Sequence, residues 1–207
     1  MTAQEATAGV RALRRSPAAH LWEDFARGTV AGGHGVSLKE VPFLTMVGVR
    51  VDPASAAGAR IAAATGGLPT ACGAVVSGPA GLATLWLGPA EFLVAAPEQA
   101  HDGVLSALLD ALADGAGQVV DLSANRTTFE LAGPSARAVL EKSCALDLHP
   151  RSFAAGTALA TEIGHIPTML WKVDEATFRI FPRASFADFL GRWLLDGMRE
   201  FASTEDQ

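Results

Sequence analysis

The chain has 207 residues, of which 49% are hydrophobic and 18% charged, a balance that is typical of a globular protein and excludes a disordered one. The net charge of −6 argues against a nucleic-acid binder, because the one basic cluster, at Arg11, Arg14 and Arg15, is too short to meet several phosphates on one face. No segment approaches the roughly 18 consecutive apolar residues of a membrane span, and the N-terminus has no hydrophobic signal region, so we expect a cytoplasmic protein that contacts neither membrane nor nucleic acid.

Residues 1–39 are predicted to form a flexible or irregular N-terminal segment. Residues 1–19 are small and polar with scattered arginines, residues 20–25 have room for one helical turn, and residues 28–35 are rich in glycine. A glycine-rich loop can cradle a phosphate when a helix follows it and a lysine stands nearby. Residues 36–41 have no helical pattern and the lysine spacing is absent, so we assign the glycine-rich stretch to a loop.

The stretch 40–120 is predicted as a first α+β unit. Residues 43–51 alternate in the manner of a strand, and Asp52 with Pro53 is a typical start of a helix, which Gly66 would end. Three short β segments follow, separated by glycine–proline turns: residues 71–76, 82–87 and 91–95. The next helix has an apolar stripe at helical spacing, formed by Val104, Leu105, Leu108, Leu109 and Leu112.

Residues 121–202 are predicted as a second unit of this kind, followed by a tail at 203–207. Alternation and turn residues assign strands and extended segments to it: residues 127–132, 144–149, 157–163, 168–173 and 177–181. A short helix begins near Pro134, and the last helix begins at a capping box of Ser185 and Asp188. That last helix has a wide apolar face, which we expect in the core: Phe186, Phe189, Leu190, Trp193, Leu194, Met198 and Phe201.

The two units resemble each other in the order of their elements. Each has a strand, a proline-started helix, further strands and a last helix. Trp171 stands 85 positions after Trp86, and Phe178 stands 86 positions after Phe92. We therefore predict an α+β fold of two similar units, each an antiparallel sheet with packed helices, which meet near residues 121–126 and form one compact domain.

Side chains with catalytic potential do not have the spacings that known reactions require. The sequence has no G-x-S-x-G, H-E-x-x-H, P-loop or dinucleotide-binding motif. Its five histidines show no ligand spacing, and we interpret them as turn or surface residues. Cys144 lies near Lys142 and His149 in sequence, but a lone cysteine without an identified base is more often a packing residue. The sequence thus predicts no catalytic residue, no metal and no cofactor on this chain.

A polar cluster at Asp121, Asn125 and Arg126 allows two interpretations. An arginine flanked by Asp and Asn in a turn can hold an anionic ligand through two parallel hydrogen bonds. Alternatively, Asp121 and Arg126 form a structural ion pair across a tight connection, and we favour this second interpretation. Trp171 and Trp193 are interpreted as core or interface residues, since large aromatic side chains dominate both.

Four stretches of the second half resemble the gamma subunit of heterotetrameric sarcosine oxidase. They are V-D-L-S-A-N-R-T at 120–127, L-E-K-x-C-x-L-D-L-H-P at 140–150, I-P-x-x-L-W at 166–171 and F-R-I-x-x-R-x-S-F-A-x-F-L-x-x-W-L-x-D at 178–196. The likeness is specific over residues 119–201. It is weaker over residues 43–96, where W-x-G-P-x-E-F-L-V stands at 86–94.

This resemblance implies a fold similar to the folate-binding aminomethyltransferase domain of the glycine cleavage system. It also implies alpha, beta and delta subunits as partners, in a complex that oxidises sarcosine to glycine and passes the one-carbon unit to tetrahydrofolate or releases formaldehyde. FAD, FMN, NAD, zinc and tetrahydrofolate would then be used on the other subunits. This chain is too short for the extra barrel domain of the aminomethyltransferases, and around Cys144 it has E-K-S-C-A-L-D-L where related iron–sulfur assembly proteins have K-G-C-x-x-G-Q-E.

Two functions remain open from the sequence. The first is an accessory, non-catalytic subunit of such a complex, which the missing acid–base and nucleophile pattern favours. The second is a stand-alone folate-binding or folate-dependent one-carbon transferase on the same fold. For the first, we expect subunit contacts through Arg126, Arg151 and Arg183, because arginine combines a large contact area with directed hydrogen bonds.

Overall fold

Two antiparallel sheets of five strands each form the centre of the structure, a computed structural model that describes residues 13–202. In chain order the strands are β1 (Ser37–Glu40), β2 (Thr45–Val51), β3 (Val75–Ser77), β4 (Ala83–Gly88), β5 (Glu91–Ala96), β6 (Gly117–Asp121), β7 (Phe129–Ala132), β8 (Thr157–Ile163), β9 (Ile166–Lys172) and β10 (Thr177–Pro182). The helices are α1 (Trp22–Arg27), α2 (Ala56–Thr65), α3 (His101–Leu112), α4 (Ala136–Glu141) and α5 (Ala187–Ala202). Short 3₁₀ turns lie at Ala19–Leu21, Pro79–Gly81, Glu98–Ala100 and Ala184–Phe186.

The two sheets have the same strand order. One runs β3-β4-β5-β2-β6 and the other β8-β9-β10-β7-β1, with antiparallel neighbours throughout. In this order β4 corresponds to β9, so Trp86 and Trp171 occupy corresponding strands, as do Phe92 on β5 and Phe178 on β10. The predicted fold class, two similar antiparallel sheets with packed helices, is confirmed.

Alternate residues of the buried strands face different apolar layers, as the pleat of a strand requires. On β5, Phe92 and Val94 contact the layer beneath α2 and α3, whereas Leu93 points to the layer between the sheets. That middle layer takes residues from both sheets: Met46, Leu85, Leu93, Ala158, Met169, Trp171 and Phe181. The second sheet packs its other face on α1, α4 and α5. The order of layers is therefore helices, sheet, sheet, helices, and burial of each large side chain stabilises it by roughly 1.5–3 kcal/mol.

The N-terminal segment is more regular than the sequence predicts. Ser37–Glu40 is an edge strand of the second sheet and pairs with β7, with Glu40 opposite Phe129. Phe25 of α1 is buried and meets the Phe129 ring edge-on, with the ring centroids 5.8 Å apart. Within residues 13–39, the prediction of an irregular segment therefore differs from the structure, because apolar residues of α1 and β1 complete the core of the second sheet.

Some predicted boundaries lie outside the described residues or stay predictions. Residues 1–12 and the predicted tail at 203–207 are not described. The division of the chain into units at 40–120 and 121–202 stays a prediction, although β6 does end at Asp121. No helix among residues 13–202 combines the length and the apolar character needed to cross a bilayer.

Helix α2 begins three residues later than predicted, at Ala56. Asp52 closes a turn, in which its Oδ1 accepts from the Ala54 N–H at 2.9 Å. The Ser55 Oγ then accepts from the Gly58 N–H at 3.0 Å and caps the helix. Gly66 ends the helix as predicted, in the left-handed conformation with φ of 83°.

The capping box predicted for the last helix is not formed. A 3₁₀ turn at Ala184–Phe186 leads into α5, and its start has no side-chain cap. The Asp188 carboxylate is used instead by His20, at 2.7 Å, and by Arg192, at 2.9 Å. Residues 144–149, which we expected to be extended, form bends and irregular backbone apart from a single bridge between Cys144 and Ile163.

Candidate functional site

The three arginines proposed as interface residues fall in two places. Arg126 and Arg183 form an isolated antiparallel bridge between the segment after β6 and the residue after β10. Arg151 lies in the turns before β8, where its side chain is exposed and its backbone N–H donates to the Nδ1 atom of His149 at 3.2 Å. The structure therefore brings two of the three arginines together and leaves Arg151 outside the cavity that they share.

Arg126 is half-buried and its orientation is fixed by the backbone. Its Nη1 donates to the carbonyl oxygen of Phe181 at 2.7 Å. Burial lowers the pKa of Arg126 from its ordinary value, and the charge of the neighbouring Arg183 lowers it further. Among residues 13–202 neither guanidinium has an ion-pairing carboxylate. Two positive charges thus lie side by side without a counter-ion from the described part of the chain.

The ion pair that we favoured between Asp121 and Arg126 is wrong. The Asp121 carboxylate accepts from the Ser123 Oγ at 2.6 Å and from the Ser123 N–H at 2.9 Å, and lies 3.0 Å from the Nε2 atom of His101. These local partners occupy Asp121, because an Asp side chain readily closes a turn onto the residue two positions later. Arg126 instead points to β10. Beside it, the backbone carbonyl oxygen of Asn125 accepts from the Ala184 N–H at 2.9 Å.

His101 lies between two carboxylates and holds α3 to the end of β6. Its Nδ1 is 2.9 Å from Asp102 and its Nε2 is 3.0 Å from Asp121. The hydrogen bond to Asp102 raises the pKa of His101 above its ordinary value, and Asp121 adds to this against the opposite effect of burial. The sequence led us to interpret His101 as a turn histidine, and the adjacent Asp102 was the one local sign of a partner.

Glu40 is a buried carboxylate that the sequence reasoning passed over. It is 6% exposed and accepts from four donors: Ser16 Oγ at 2.5 Å, the Ala18 N–H at 3.2 Å, Trp22 Nε1 at 2.8 Å and Thr127 Oγ1 at 2.5 Å. These contacts join the N-terminal segment to the start of the second unit. In the sequence, the one sign that Glu40 is buried is its place in the alternating series Val36, Leu38 and Glu40.

Arg126 lines two cavities of different character. One, of about 440 Å³, is charged and lies beside the N-terminal segment; its polar lining includes Arg14, Arg15, Glu98, His101 and Asp121. Arg14 closes it by pairing with Glu98 and by placing its guanidinium 4.5 Å from the centre of the Phe43 ring. The other, of about 460 Å³, lies between β4 of the first sheet and β8 and β9 of the second, and both Arg126 and Arg183 line it.

The last helix and the 3₁₀ turn before it present an aromatic patch, which we define as Phe186, Phe189 and Trp193. These side chains are 38%, 48% and 43% exposed, so the prediction that they lie in the core is wrong. The rings of Phe189 and Trp193 stack with centroids 5.9 Å apart, and the Nε1 of Trp193 donates to the Ser143 Oγ at 2.9 Å. Leu190, Leu194 and Met198 occupy the core as predicted. The apolar face of the helix is wider than the core that it packs against, so part of that face stays exposed.

The described residues offer little reactive chemistry. Within residues 13–202, no group of three or more His, Cys, Asp or Glu side chains could hold a metal ion. Cys144 contacts the Thr161 hydroxyl at 3.6 Å, whereas the Lys142 ammonium binds the Gly197 carbonyl oxygen and Glu200, each at 2.6 Å. The pairing of Cys144 with Lys142 that the sequence allowed is therefore not formed.

The fold and the site define an α+β protein of two antiparallel sheets with the same strand order, which presents arginine side chains and exposed aromatic side chains. A family model for the sarcosine oxidase gamma subunit matches residues 47–200. Gamma subunits from Corynebacterium sp. (strain U-96) and Arthrobacter sp are each 50% identical, over 194 and 192 residues, which is 93% and 92% of this chain and 94% and 93% of theirs. The chain belongs to the sarcosine oxidase gamma subunit family.

Solved structures agree with this family. A heterotetrameric sarcosine oxidase from Corynebacterium sp. U-96, in complex with pyrrole 2-carboxylate, contains a chain that is 49% identical and matches with a TM-score of 0.89, covering 94% of this chain and 100% of that chain. The glycine cleavage system aminomethyltransferase T from Bartonella henselae matches with a TM-score of 0.67 at 17% identity, over 88% of this chain and 57% of that one. The second match shows a common fold, as the sequence resemblance implied.

Proposed function

We propose that this chain is the accessory, non-catalytic gamma subunit of a heterotetrameric sarcosine oxidase complex, with alpha, beta and delta subunits as its partners. The complex would oxidatively demethylate sarcosine to glycine, with the one-carbon unit passing to tetrahydrofolate or leaving as formaldehyde. The observation that carries the proposal is the 49% identical chain of the solved heterotetramer, which matches 94% of this chain over 100% of its own length with a TM-score of 0.89. FAD, FMN, NAD, zinc and tetrahydrofolate would be used on the other subunits.

The way the chain uses its charged groups supports a non-catalytic role. His101 is held between two carboxylates, and Glu40 is buried among four donors. The buried Lys172 donates to Glu175 at 2.9 Å. Groups committed in this way hold elements together and are poorly placed to exchange protons with a substrate. The chain would therefore contribute binding surface to the complex.

Arginines at the surface or at a cavity, together with exposed aromatic residues, support the proposed contacts. Arg126 and Arg183 lie at a cavity between the sheets, Arg151 is exposed in a turn, and the aromatic patch lies on α5 and the 3₁₀ turn before it. Arginine and aromatic side chains are enriched at interfaces, where a central one typically contributes about 2 kcal/mol or more. We propose that these surfaces contact other subunits.

The experiment is co-expression of this chain, carrying an affinity tag, with the other three subunits encoded by the same organism. We expect the four chains to co-purify in equal amounts and to oxidise sarcosine, and the isolated chain to have no such activity. Sarcosine oxidation by the isolated chain would contradict the non-catalytic role. Failure of the tagged chain to retain the others would contradict the subunit role.

The stand-alone folate function is tested on the same isolated chain. Titration with tetrahydrofolate under reducing conditions, followed by calorimetry, should give no binding heat if the chain acts as an accessory subunit. A saturable, stoichiometric signal would favour the folate-binding alternative.

A further inference from the structure

The close approach of Arg126 and Arg183 is costly for the chain taken alone. Their backbones are bridged, and burial together with the charge of Arg183 lowers the pKa of Arg126. Arg126 is also half-buried, so its charge is less screened than that of a surface residue. The protein as a whole has a net charge of −6, yet neither arginine has an acidic partner among residues 13–202.

The cavity that these arginines share has a second, apolar component. Leu159 of β8, Met169 of β9 and Leu87 of β4 line it beside the two guanidinium groups, within a volume of about 460 Å³. The walls come from both sheets, which are also joined by a bridge between Ala74 and Thr157. The groove thus combines two adjacent cations with an apolar wall.

The geometry of the arginines suits a carboxylate. The Nη1 of Arg126 is tied to the Phe181 carbonyl oxygen, which fixes the plane of its guanidinium while its other N–H groups have no partner among the described residues. A fixed planar fork binds a carboxylate through two parallel hydrogen bonds. Arg183 is exposed at the same cavity, so an anion arriving from solvent meets Arg183 and then Arg126.

We propose that this groove receives a segment of a partner subunit that carries an Asp or Glu side chain next to an apolar residue. The carboxylate lies between Arg126 and Arg183, and the apolar side chain contacts Leu159 and Met169. The inference rests on the proposed function and specifies the chemistry of the partner at one surface. A carboxylate there removes the like-charge repulsion of the free chain, so binding and electrostatic relief act together.

The test is charge reversal in the complete complex. Arg183→Glu should weaken association of the tagged chain with the other subunits at least about tenfold, measured by dilution and mass photometry. Arg137→Glu is the matched control, because Arg137 is an exposed arginine on α4 whose partner is Glu141; it should leave association unchanged. Association of the purified wild-type chain with the other subunits should also weaken steeply as salt is added.

Fold integrity and partner identity are checked separately. Arg183→Ala in the isolated chain should leave the melting temperature unchanged or raise it, since it removes repulsion. A photo-crosslinking residue at the exposed Ala160, on the groove wall, should couple to a partner peptide that contains Asp or Glu. Changing that acidic residue to Arg should restore association of the Arg183→Glu chain.

The outcomes separate this inference from the proposed function. If the wild-type chain does not associate with the other subunits, the proposed function fails. If the wild type associates and Arg183→Glu associates equally well, only the groove inference is overturned. It is overturned too if two results occur together: sodium succinate stabilises the isolated wild-type chain but not the Arg183→Glu chain, and Arg183→Glu leaves association of the complex unchanged. The groove would then bind a free anion and not a partner subunit.

Discussion

The Nε2 atom of His101 lies 3.0 Å from the Asp121 carboxylate, and this contact ties the first turn of α3 to the end of β6. The two residues are 20 positions apart, and the turn at residues 113–116 reverses the chain after α3 so that β6 brings Asp121 back to His101. Asp102 binds the other ring nitrogen at 2.9 Å. A histidine with a carboxylate at each nitrogen is most stable as the doubly protonated imidazolium.

This arrangement predicts a pH dependence of stability. The pKa of His101 is raised above 6.5 in the folded chain, so its stabilising contribution is complete below pH 6.5 and is lost as pH rises through the folded pKa. Hydrogen bonds lower the pKa of Asp121 below 3.8 against the effect of burial, so its contribution is lost only as pH falls through that lower value. When the pH is raised from below 6.5 to well above it, the free energy of unfolding should therefore fall more in the wild type than in His101→Gln.

The expected difference between the two proteins is less than about 1 kcal/mol, because both partners are partly exposed, at 28% and 41% of their side chains. Urea unfolding across this pH range measures it. Identical pH profiles for wild type and His101→Gln would refute the prediction.

Glu40 should be a strong stability determinant. Glu40→Gln places an amide N–H₂ among four hydrogen-bond donors, so at least one donor loses its acceptor in a buried site. We expect the free energy of unfolding to fall by roughly 1–3 kcal/mol. Glu23→Gln is the control, since Glu23 has 92% of its side chain exposed. Trp22 fluorescence should report the change directly, and equal stability of the two variants would rule the prediction out.

Two neighbours on α5 should separate folding from assembly. Leu190 is completely buried, so Leu190→Ala should destabilise the isolated chain by about 2–5 kcal/mol. Phe189 is 48% exposed, so Phe189→Ala should cost less than about 1 kcal/mol in stability and should instead reduce association with the other subunits. Thermal unfolding of the chain and pull-down of the complex measure the two effects. Normal assembly of the Phe189→Ala chain would remove the aromatic patch from the proposed interface.

Two helical glycines should respond in opposite directions to alanine. A Cβ at Gly58 of α2 would lie 2.3 Å from the Asp52 carbonyl oxygen, so Gly58→Ala should destabilise by about 1–3 kcal/mol. At Gly103 of α3 a Cβ meets nothing within 4 Å, so Gly103→Ala should stabilise by roughly 0.5–1 kcal/mol through the lower entropy of the unfolded chain. Chemical denaturation of both variants tests the pair, and a shift of the same sign in both would be inconsistent with it.

Local patterns in the sequence were sufficient for most elements of regular structure. The alternation of apolar residues marks β2 and β8, a short apolar run after a turn marks β5, and Gly66 marks the end of α2, because these signals depend only on neighbours along the chain. The spacing between Trp86 and Trp171 also indicates the repeated sheet order, since equal element lengths keep landmarks at a constant offset. The motifs of the second half are also local patterns of neighbouring residues, and they carried the family resemblance.

Partner choice over long distances was decided by the tertiary structure. The pairing of β1 with β7 and the bridge between Arg126 and Arg183 join segments far apart in sequence, and no local pattern specifies which distant strand or charge will be adjacent. Several donors could in principle bind the Asp121 carboxylate, and the position of α3 places His101 beside it. The sequence by itself determined the elements and the family of this protein, through residue periodicity and motifs. Only the packing of the two sheets decided which arginines, aromatics and carboxylates share a surface, because burial and charge depend on neighbours that folding brings together.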